Sequence, residues 1–222
     1  MSQTIKLTAA DGVTIDAYRA DPSGKPKGGI VVLQEIFGVN AHIRRVADGF
    51  AAQGYLVIAP ALFDRAKPGV ELGYTPEDMP AGVALVGEVG HDKTMLDVAA
   101  AVKAATEGGK VGVVGYCWGG SLAYAAACSI DGVTAAVGYY GGTVAKSLAS
   151  KPKVPVILHF GEKDAHIPMS DVAAIKSALP QVPVYTYDAG HGFNCDARGS
   201  YDKPSAAVAL DRTLAFFAEH IG

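Results

Sequence analysis

The chain has 222 residues, of which 50% are hydrophobic and 18% are charged, and its formal net charge is −3. This length and composition predict one globular α/β domain over residues 1–222 and exclude a disordered or fibrous chain. Charges of both signs are spread along the sequence, which excludes the basic face of a nucleic-acid-binding protein and a polybasic membrane patch.

The cysteines and the first residues indicate the compartment. Cys117, Cys128 and Cys195 form an odd set without metal-like spacing, which argues against a disulfide framework and favours a reducing compartment. The opening residues MSQTIKLTAADGV lack the basic and apolar regions of a signal peptide, and no apolar run reaches transmembrane length. We therefore expect a cytoplasmic protein with no membrane partner.

The first elements in chain order are a hairpin and a strand–helix–strand unit. Residues 5–9 and 13–20 flank the turn at Asp11-Gly12, as in a β-hairpin. The apolar runs 28–35 and 55–60 are typical of parallel strands buried on both faces. Between them, residues 40–54 have helical periodicity, with Asn40 as the predicted N-cap.

The middle of the chain is less regular. Residues 62–90 contain several glycines and prolines and predict a loop region or lid with room for one short helix. Residues 91–106 then predict a helix with Met95, Val98 and Val102 on one face.

The second half alternates strands and helices. The predicted strands cover 110–117, 133–141, 154–161 and 182–190, and the predicted helices cover 118–130, 169–180 and 204–221. The last helix carries Val208, Leu210, Leu214 and Phe217. Such alternation predicts a doubly wound, mostly parallel sheet with helices on both faces. Functional groups are expected at the carboxyl ends of its strands.

Cys117 lies where one of these strands becomes a helix. Residues 115–119 fit the pattern G-x-C-x-G, a nucleophile elbow with cysteine in place of serine. The glycines relieve crowding at the sharp turn, and the helix N-terminus favours a thiolate and a developing oxyanion. We interpret Cys117 as the nucleophile; the alternative is a structural cysteine in a glycine-rich turn.

A nucleophile of this kind needs a base and an orienting acid, and in elbow enzymes they follow it in the order acid, then base. Asp164 follows the strand 154–161, and His191 lies in the glycine-flanked loop after the strand 182–190. Cys117, Asp164 and His191 are therefore the predicted triad. Glu162 and Asp188 remain alternatives for the acid, and His166 for the base. No histidine pair has metal-ligand spacing, so no metal site is predicted.

Glu35 ends a buried strand, where an unpaired charge is costly. It is predicted to act in catalysis or to form a structural ion pair with an arginine. The loop that carries it also supplies one oxyanion N–H in elbow enzymes, here assigned to Ile36, and Trp118 supplies the other.

Four segments together resemble the dienelactone hydrolase family, a branch of the α/β-hydrolase fold. They are QEIFG at 34–38, GYCWGG at 115–120, GEKDAHIP at 161–168 and DAGHGFNCDARGSYD at 188–202. The resemblance extends from about residue 29 to the last helix. It implies a monomeric, cofactor-free carboxymethylenebutenolidase-like enzyme with the triad above, in which Glu35 helps to ionise the thiol once substrate binds.

The same resemblance points to arginines that hold the substrate's carboxylate. In the enzyme that gives the family its name, one such arginine stands four residues after the triad histidine, where this chain has Cys195. Arg198 and Arg65 are the candidates here. The expected substrate is a small ester or lactone, within the breakdown of aromatic compounds. A broad carboxylesterase or thioesterase, and a ligand-binding or redox-sensing protein without catalysis, are the competing interpretations.

Overall fold

A sheet of eight strands runs through residues 2–222, the part of the chain that this computed structural model describes. In chain order, β1 to β8 are Ser2–Thr8, Thr14–Ala20, Gly29–Leu33, Leu56–Pro60, Val111–Tyr116, Val133–Tyr139, Val156–Gly161 and Val184–Tyr187. Across the sheet they follow the order β1-β2-β4-β3-β5-β6-β7-β8. β1 pairs antiparallel with β2, and β2 pairs antiparallel with β4, while all the other pairs are parallel. The predicted doubly wound, mostly parallel sheet is confirmed.

Six α-helices of the described residues flank this sheet on both faces. In chain order, α1 to α6 are Ala41–Ala52, Asp78–Val89, His91–Ala105, Trp118–Ser129, Met169–Ala178 and Lys203–His220. Asn40 caps α1 as predicted, because its side-chain oxygen accepts from the N–H groups of His42 and Ile43. Phe50 of α1 packs edge-on against Phe217 of α6, with ring centroids 6.1 Å apart, which joins these two helices.

The region between residues 62 and 90 is more ordered than the sequence predicts. It holds a short 3₁₀ helix, Leu62–Arg65, and the twelve-residue α2. Pro80 lies in the first turn of α2, where a missing N–H costs nothing. Gly82 lies against the loop after β3, since a Cβ there would overlap the carbonyl oxygen of Ile36. The expected loop is therefore a helix that covers the end of β3.

The buried stripe of α6 consists of four residues at helical spacing, which are Ala206, Ala209, Thr213 and Phe217. Val208 and Leu210 of the same helix are 45% and 42% exposed. Three of the four buried side chains are small, which lets α6 approach the sheet closely.

Two properties bear on the compartment. Among the described residues, no helix combines the length and apolar character that a membrane crossing requires. Cys117, Cys128 and Cys195 are all free thiols. The cytoplasmic location and the single-domain organisation stay predictions.

His159 on β7 is a buried histidine whose ring has partners on both sides. Its Nδ1 is 2.8 Å from the hydroxyl oxygen of Tyr187, and its Nε2 is 3.4 Å from the hydroxyl oxygen of Thr213. Burial, helped by the charge of Arg212, lowers the pKa of His159 from 6.5 to about 3. The neutral ring is therefore a structural group of the core.

This histidine is expected to make the fold sensitive to acid. Below pH 6.5 the unfolded chain takes up a proton that the buried ring refuses until about pH 3, so the unfolding free energy falls as the pH falls through this window. We expect His159 to contribute a loss of about 3 kcal/mol between its unfolded pKa and about pH 4. Urea unfolding of the wild type and His159→Gln across this range measures the contribution.

His91→Gln is the matched control, because His91 is exposed at the start of α3. It should show the full pH dependence of the wild type. Equal acid sensitivity of His159→Gln and the wild type would contradict the assignment.

Candidate active site

Cys117 occupies the sharp turn between β5 and α4. Its backbone has φ 55° and ψ −113°, in the left-handed region that residues other than glycine seldom adopt. The turn is held by the Cys117 N–H, which donates to the carbonyl oxygen of Tyr139 on β6 at 3.0 Å. A strained residue at this position is the mark of a nucleophile elbow. The sulfur therefore lies at the N-terminus of α4, beside N–H groups without intrahelical partners.

The glycines of the elbow are required by close backbone contacts. A Cβ on Gly115 would overlap the carbonyl oxygen of Gly119, and one on Gly119 would overlap the carbonyl oxygens of Leu33 and Gln34. The start of α4 is thus pressed against both β5 and the end of β3. This contact brings the loop at residues 34–36 next to Cys117.

The structure joins the three predicted triad side chains. Nε2 of His191 is 3.2 Å from Sγ of Cys117, and Nδ1 of His191 is 2.7 Å from Oδ2 of Asp164. The residues follow three different strands, β5, β7 and β8, at their carboxyl ends. The Asp164 side chain is fully buried, and that of His191 is only 11% exposed. This order of contacts fits a nucleophile, a base and an orienting acid.

Asp164 is fixed by its own loop. Its Oδ1 accepts hydrogen bonds from the N–H groups of His166 and Ile167, at 2.8 Å and 3.1 Å, which leaves Oδ2 for His191. Although burial alone would raise it, these contacts and the His191 ring lower the pKa of Asp164. The carboxylate is therefore held in the charged form and in one orientation.

The alternatives to Asp164 and His191 have other partners. Glu162 accepts from the hydroxyl of Thr186, and Asp188 is paired with Lys163 and largely exposed. The His166 ring lies edge-on to that of His191, with centroids 5.3 Å apart, and makes no hydrogen bond to Cys117 within residues 2–222. The geometry favours Asp164 and His191.

His191 is held between a carboxylate and a sulfur atom. Burial favours its neutral form, but the hydrogen bond to Asp164 and the interactions with Cys117 outweigh it and raise the pKa of His191 to about 9. The direction of this shift favours the cationic form of the ring. A cationic ring beside Sγ stabilises negative charge on the sulfur.

Glu35 lies beside the site but does not touch the sulfur. Its Oε2 accepts a hydrogen bond from the hydroxyl of Tyr74 at 3.0 Å, and its Oε1 is 3.4 Å from Nη1 of Arg198. Among the described residues, no hydrogen bond joins it to Cys117. Glu35 is 1% exposed, so the arginine compensates a buried charge. The sequence left two alternatives for Glu35, a role in catalysis and an ion pair with an arginine, and the structure shows the ion pair.

The comparisons with known proteins agree with this geometry. The model of the dienelactone hydrolase family matches residues 15–221. The chain belongs to the dienelactone hydrolase family. A carboxymethylenebutenolidase from Pseudomonas putida is 34% identical over 241 residues, covering 98% of this chain and 97% of the relative. A Synechocystis protein, provisionally assigned the same activity, is 36% identical over 242 residues, covering 98% of both chains.

A solved structure shows the same family fold. A provisionally assigned dienelactone hydrolase from Klebsiella pneumoniae superposes with a TM-score of 0.86 at 29% identity, covering 99% of both chains. Together, these relatives and the fold indicate that this dienelactone hydrolase family member is a hydrolase acting on ester bonds.

Within this dienelactone hydrolase fold, Arg65 is not placed to bind a substrate. Its Nε and Nη2 contact the carboxylate of buried Asp97 at 2.6 Å and 2.9 Å, and its Nη1 and Nη2 contact Asp11 at 2.7 Å and 3.1 Å. The Arg65 side chain is 6% exposed. We therefore assign Arg65 to an ion-pair cluster that ties the β1–β2 turn to α3, which corrects its predicted role in substrate binding.

Arg198, the other candidate for substrate binding, lies next to the triad. Its guanidinium lies against Gly192, next to His191, and over the rings of Phe37 and Tyr74, at 5.8 Å and 5.9 Å from their centroids. Only Nη1 has a hydrogen-bond partner within residues 2–222, and it is Glu35. Nε and Nη2 of Arg198 are therefore available to an anion.

Three aromatic residues near the site were missed by the sequence analysis. Tyr74 binds Glu35, and Phe63 stacks on Trp118 with centroids 5.4 Å apart. Tyr140 has φ 37° and lies edge-on to His191, and its buried hydroxyl has no partner in residues 2–222. Tyr140 directly follows β6, so its position at the carboxyl end of a strand could have indicated that it lies near the site. Tyr74 and Phe63 lie in the region predicted as a loop, and no sequence pattern indicated that they lie near the site.

Proposed function

We propose that the protein hydrolyses small ester or lactone substrates through a thioester intermediate on Cys117. The observation that carries this proposal is the continuous contact from Sγ of Cys117 through the His191 ring to the Asp164 carboxylate, at 3.2 Å and 2.7 Å. A sensing thiol needs no such ordered base and acid. The non-catalytic interpretations are therefore less well supported.

In the first half of the reaction, the Cys117 thiolate attacks the substrate carbonyl carbon and forms a C–S bond. The negative charge that develops on the carbonyl oxygen is stabilised by the N–H groups of Trp118 and Ile36. Trp118 is the first residue of α4, and the backbone leading to Ile36 is pressed against that helix end. When the C–O bond breaks, His191 gives its proton to the leaving oxygen.

In the second half, His191 is neutral and acts as a base. It takes a proton from a water molecule, whose oxygen attacks the thioester carbon. The C–S bond then breaks, the acid product leaves, and the thiolate beside a protonated His191 is restored. Every group in this scheme belongs to one chain, so we propose that a monomer acts without a cofactor.

We propose further that the substrate carries a carboxylate bound by Arg198. A guanidinium holds a carboxylate by two parallel hydrogen bonds, and Nε and Nη2 of Arg198 present such a pair of donors. The Arg198 side chain is 15% exposed, so an anion bound to it would be largely removed from water. Hydrogen bonds between charged groups are stronger in such surroundings than in water. A small carboxylated lactone satisfies both Arg198 and the triad.

Hydrolysis of p-nitrophenyl acetate before and after alkylation with iodoacetamide tests the cysteine dependence. Loss of activity in step with modification of Cys117, located by peptide mass spectrometry, is expected. Full activity with Cys117 completely alkylated would refute the proposal. A panel of lactones, carboxylic esters and thioesters then separates a lactonase from a broad esterase.

Arg198→Lys is expected to impair recognition of the carboxylate. Lysine keeps the charge but loses the paired donors, so KM for a carboxylated lactone should rise by about tenfold. KM for the methyl ester of the same lactone should change little. Arg19→Lys is the matched control, because Arg19 binds Asp21 and Glu107 away from the site. Equal changes for both substrates in Arg198→Lys would show that Arg198 does not bind the carboxylate.

Glu35→Gln is expected to change substrate binding rather than proton transfer. The amide keeps the shape but removes the charge that faces Arg198, so a substrate carboxylate meets a less compensated cation. KM for the carboxylated lactone should fall several-fold, because the contact that is removed is long, at 3.4 Å, and only one of its charges is fully buried. Turnover of p-nitrophenyl acetate and alkylation of the resting thiol should stay near wild type. A similar loss of kcat on both substrates would show instead that Glu35 accepts the thiol proton.

A further inference from the structure

Glu35, His42 and Cys195 form a buried cluster beside the catalytic site. They come from the loop after β3, from α1 and from the loop after β8, so no sequence spacing reveals them. Their exposed fractions are 1%, 4% and 0%. One donor atom of each side chain lies within 4.8 Å of the donor atoms of the other two. The mechanism above uses neither His42 nor Cys195.

Within residues 2–222, only one of the two ring nitrogens of His42 has a hydrogen-bond partner. Its Nδ1 is 2.9 Å from Oδ1 of Asp196, which also accepts from Arg45 at 2.8 Å. A carboxylate at Nδ1 holds the proton there and leaves the lone pair on Nε2. That Nε2 is buried and has no hydrogen-bond partner in residues 2–222. A buried acceptor without a partner points to a ligand that the protein residues do not supply.

We propose that Glu35, His42 and Cys195 bind a thiophilic divalent cation such as Zn²⁺. Carboxylate, imidazole and thiolate are the three ligand types of zinc sites. Zinc–ligand distances of about 2.0–2.3 Å at tetrahedral angles place any two donors of one ion roughly 3.3–3.8 Å apart. The three donor atoms lie within 4.8 Å of one another without an ion, so binding draws the side chains together by up to about 1.5 Å. A sulfur ligand favours Zn²⁺ over Mg²⁺ or Ca²⁺.

A cleft borders the cluster at His42. It has a volume of about 460 Å³, lies between α1 and α6, and is lined by His42, Asp196, Asn194 and Tyr116, among others. Binding replaces the thiol proton of Cys195, which leaves to solvent. It also engages the Glu35 carboxylate, whose hydrogen-bond partners within residues 2–222 are Tyr74 and Arg198.

Titration with Co²⁺ tests the site through absorption rather than activity. A cobalt–thiolate bond gives a charge-transfer band in the near ultraviolet. The wild type, Cys117→Ala and Cys128→Ala are expected to show this band, and Cys195→Ser and His42→Gln are expected to lose it. Zn²⁺ should abolish the band by competition. Circular dichroism and the thermal midpoint confirm that each variant is folded.

Asp196→Asn keeps all three ligands and tests the orientation of His42. Loss of a carboxylate behind a ligating histidine weakens metal binding by about 10–100-fold, so Zn²⁺ affinity measured against a chromophoric chelator should fall by that amount. A band that persists in Cys195→Ser and disappears in Cys117→Ala would place the metal on the catalytic thiol and overturn the proposal. So would the absence of any band and any Zn²⁺ binding in the wild type.

Discussion

Cys117→Ala is expected to lower kcat/KM for p-nitrophenyl acetate by about 10³-fold or more, because the methyl group forms no thioester. The oxyanion donors and the binding site remain, so a small residual rate above the uncatalysed reaction is expected. The variant should fold, since alanine removes only the sulfur atom of a half-buried residue, the N-cap of α4. Steady-state kinetics after removal of every trace of wild-type enzyme gives the result.

Cys128→Ala is the control for this experiment. Its sulfur lies on α4, 3.7 Å from the carbonyl oxygen of Ser150, and contacts no triad side chain. Activity should stay within about twofold of wild type, as for a change away from the reacting atoms. Substantial hydrolysis by purified Cys117→Ala would end the assignment of the nucleophile.

Asp164→Asn is expected to lower kcat by about 10³–10⁴-fold while the protein stays folded. The amide can still accept from the His166 and Ile167 N–H groups, but it can present its NH₂ group to Nδ1 of His191. The imidazole then takes the wrong tautomer and loses the charge that raises its pKa to about 9. Stopped-flow alkylation across pH should show thiol reactivity shifting to higher pH.

Asp188→Asn is the matched control for that change. Asp188 is a neighbouring carboxylate, exposed and paired with Lys163, so its loss should leave both rates near wild type. A wild-type rate in Asp164→Asn, or a large loss in Asp188→Asn, would move the acid of the triad to another carboxylate.

The parts of the fold that follow a local rule were predictable. Apolar runs predicted the six parallel strands β3 to β8, and the Asn40 cap predicted the start of α1. The length and position of α2 were not predicted, because Pro80 and Gly82 are helix breakers by propensity. Propensity was overridden here by position, since Pro80 is in the first turn and Gly82 is needed for contact with Ile36.

The candidate site also has parts that a local sequence pattern predicts and parts that it does not. The contact of Cys117, Asp164 and His191 could be predicted because the nucleophile elbow and the ends of parallel strands restrict where such residues lie. Arg65 was misplaced because a sequence does not show that Asp97, a helix residue, is buried and needs a cation. The contacts of Glu35 with Tyr74 and Arg198 join segments far apart in the chain, and no local pattern encodes them.

The left-handed conformation at Cys117 is a property of the backbone. It is fixed by the bond to Tyr139 and by the packing of Gly115 on Gly119, and neither involves the sulfur. Serine also carries one heavy atom beyond Cβ, so it meets the same strain. The free energy of unfolding that is lost to the strained backbone is therefore the same for a cysteine and for a serine at this turn. A lineage built on this scaffold is therefore free to exchange sulfur for oxygen in one step, and selection would act afterwards on the residues around the histidine.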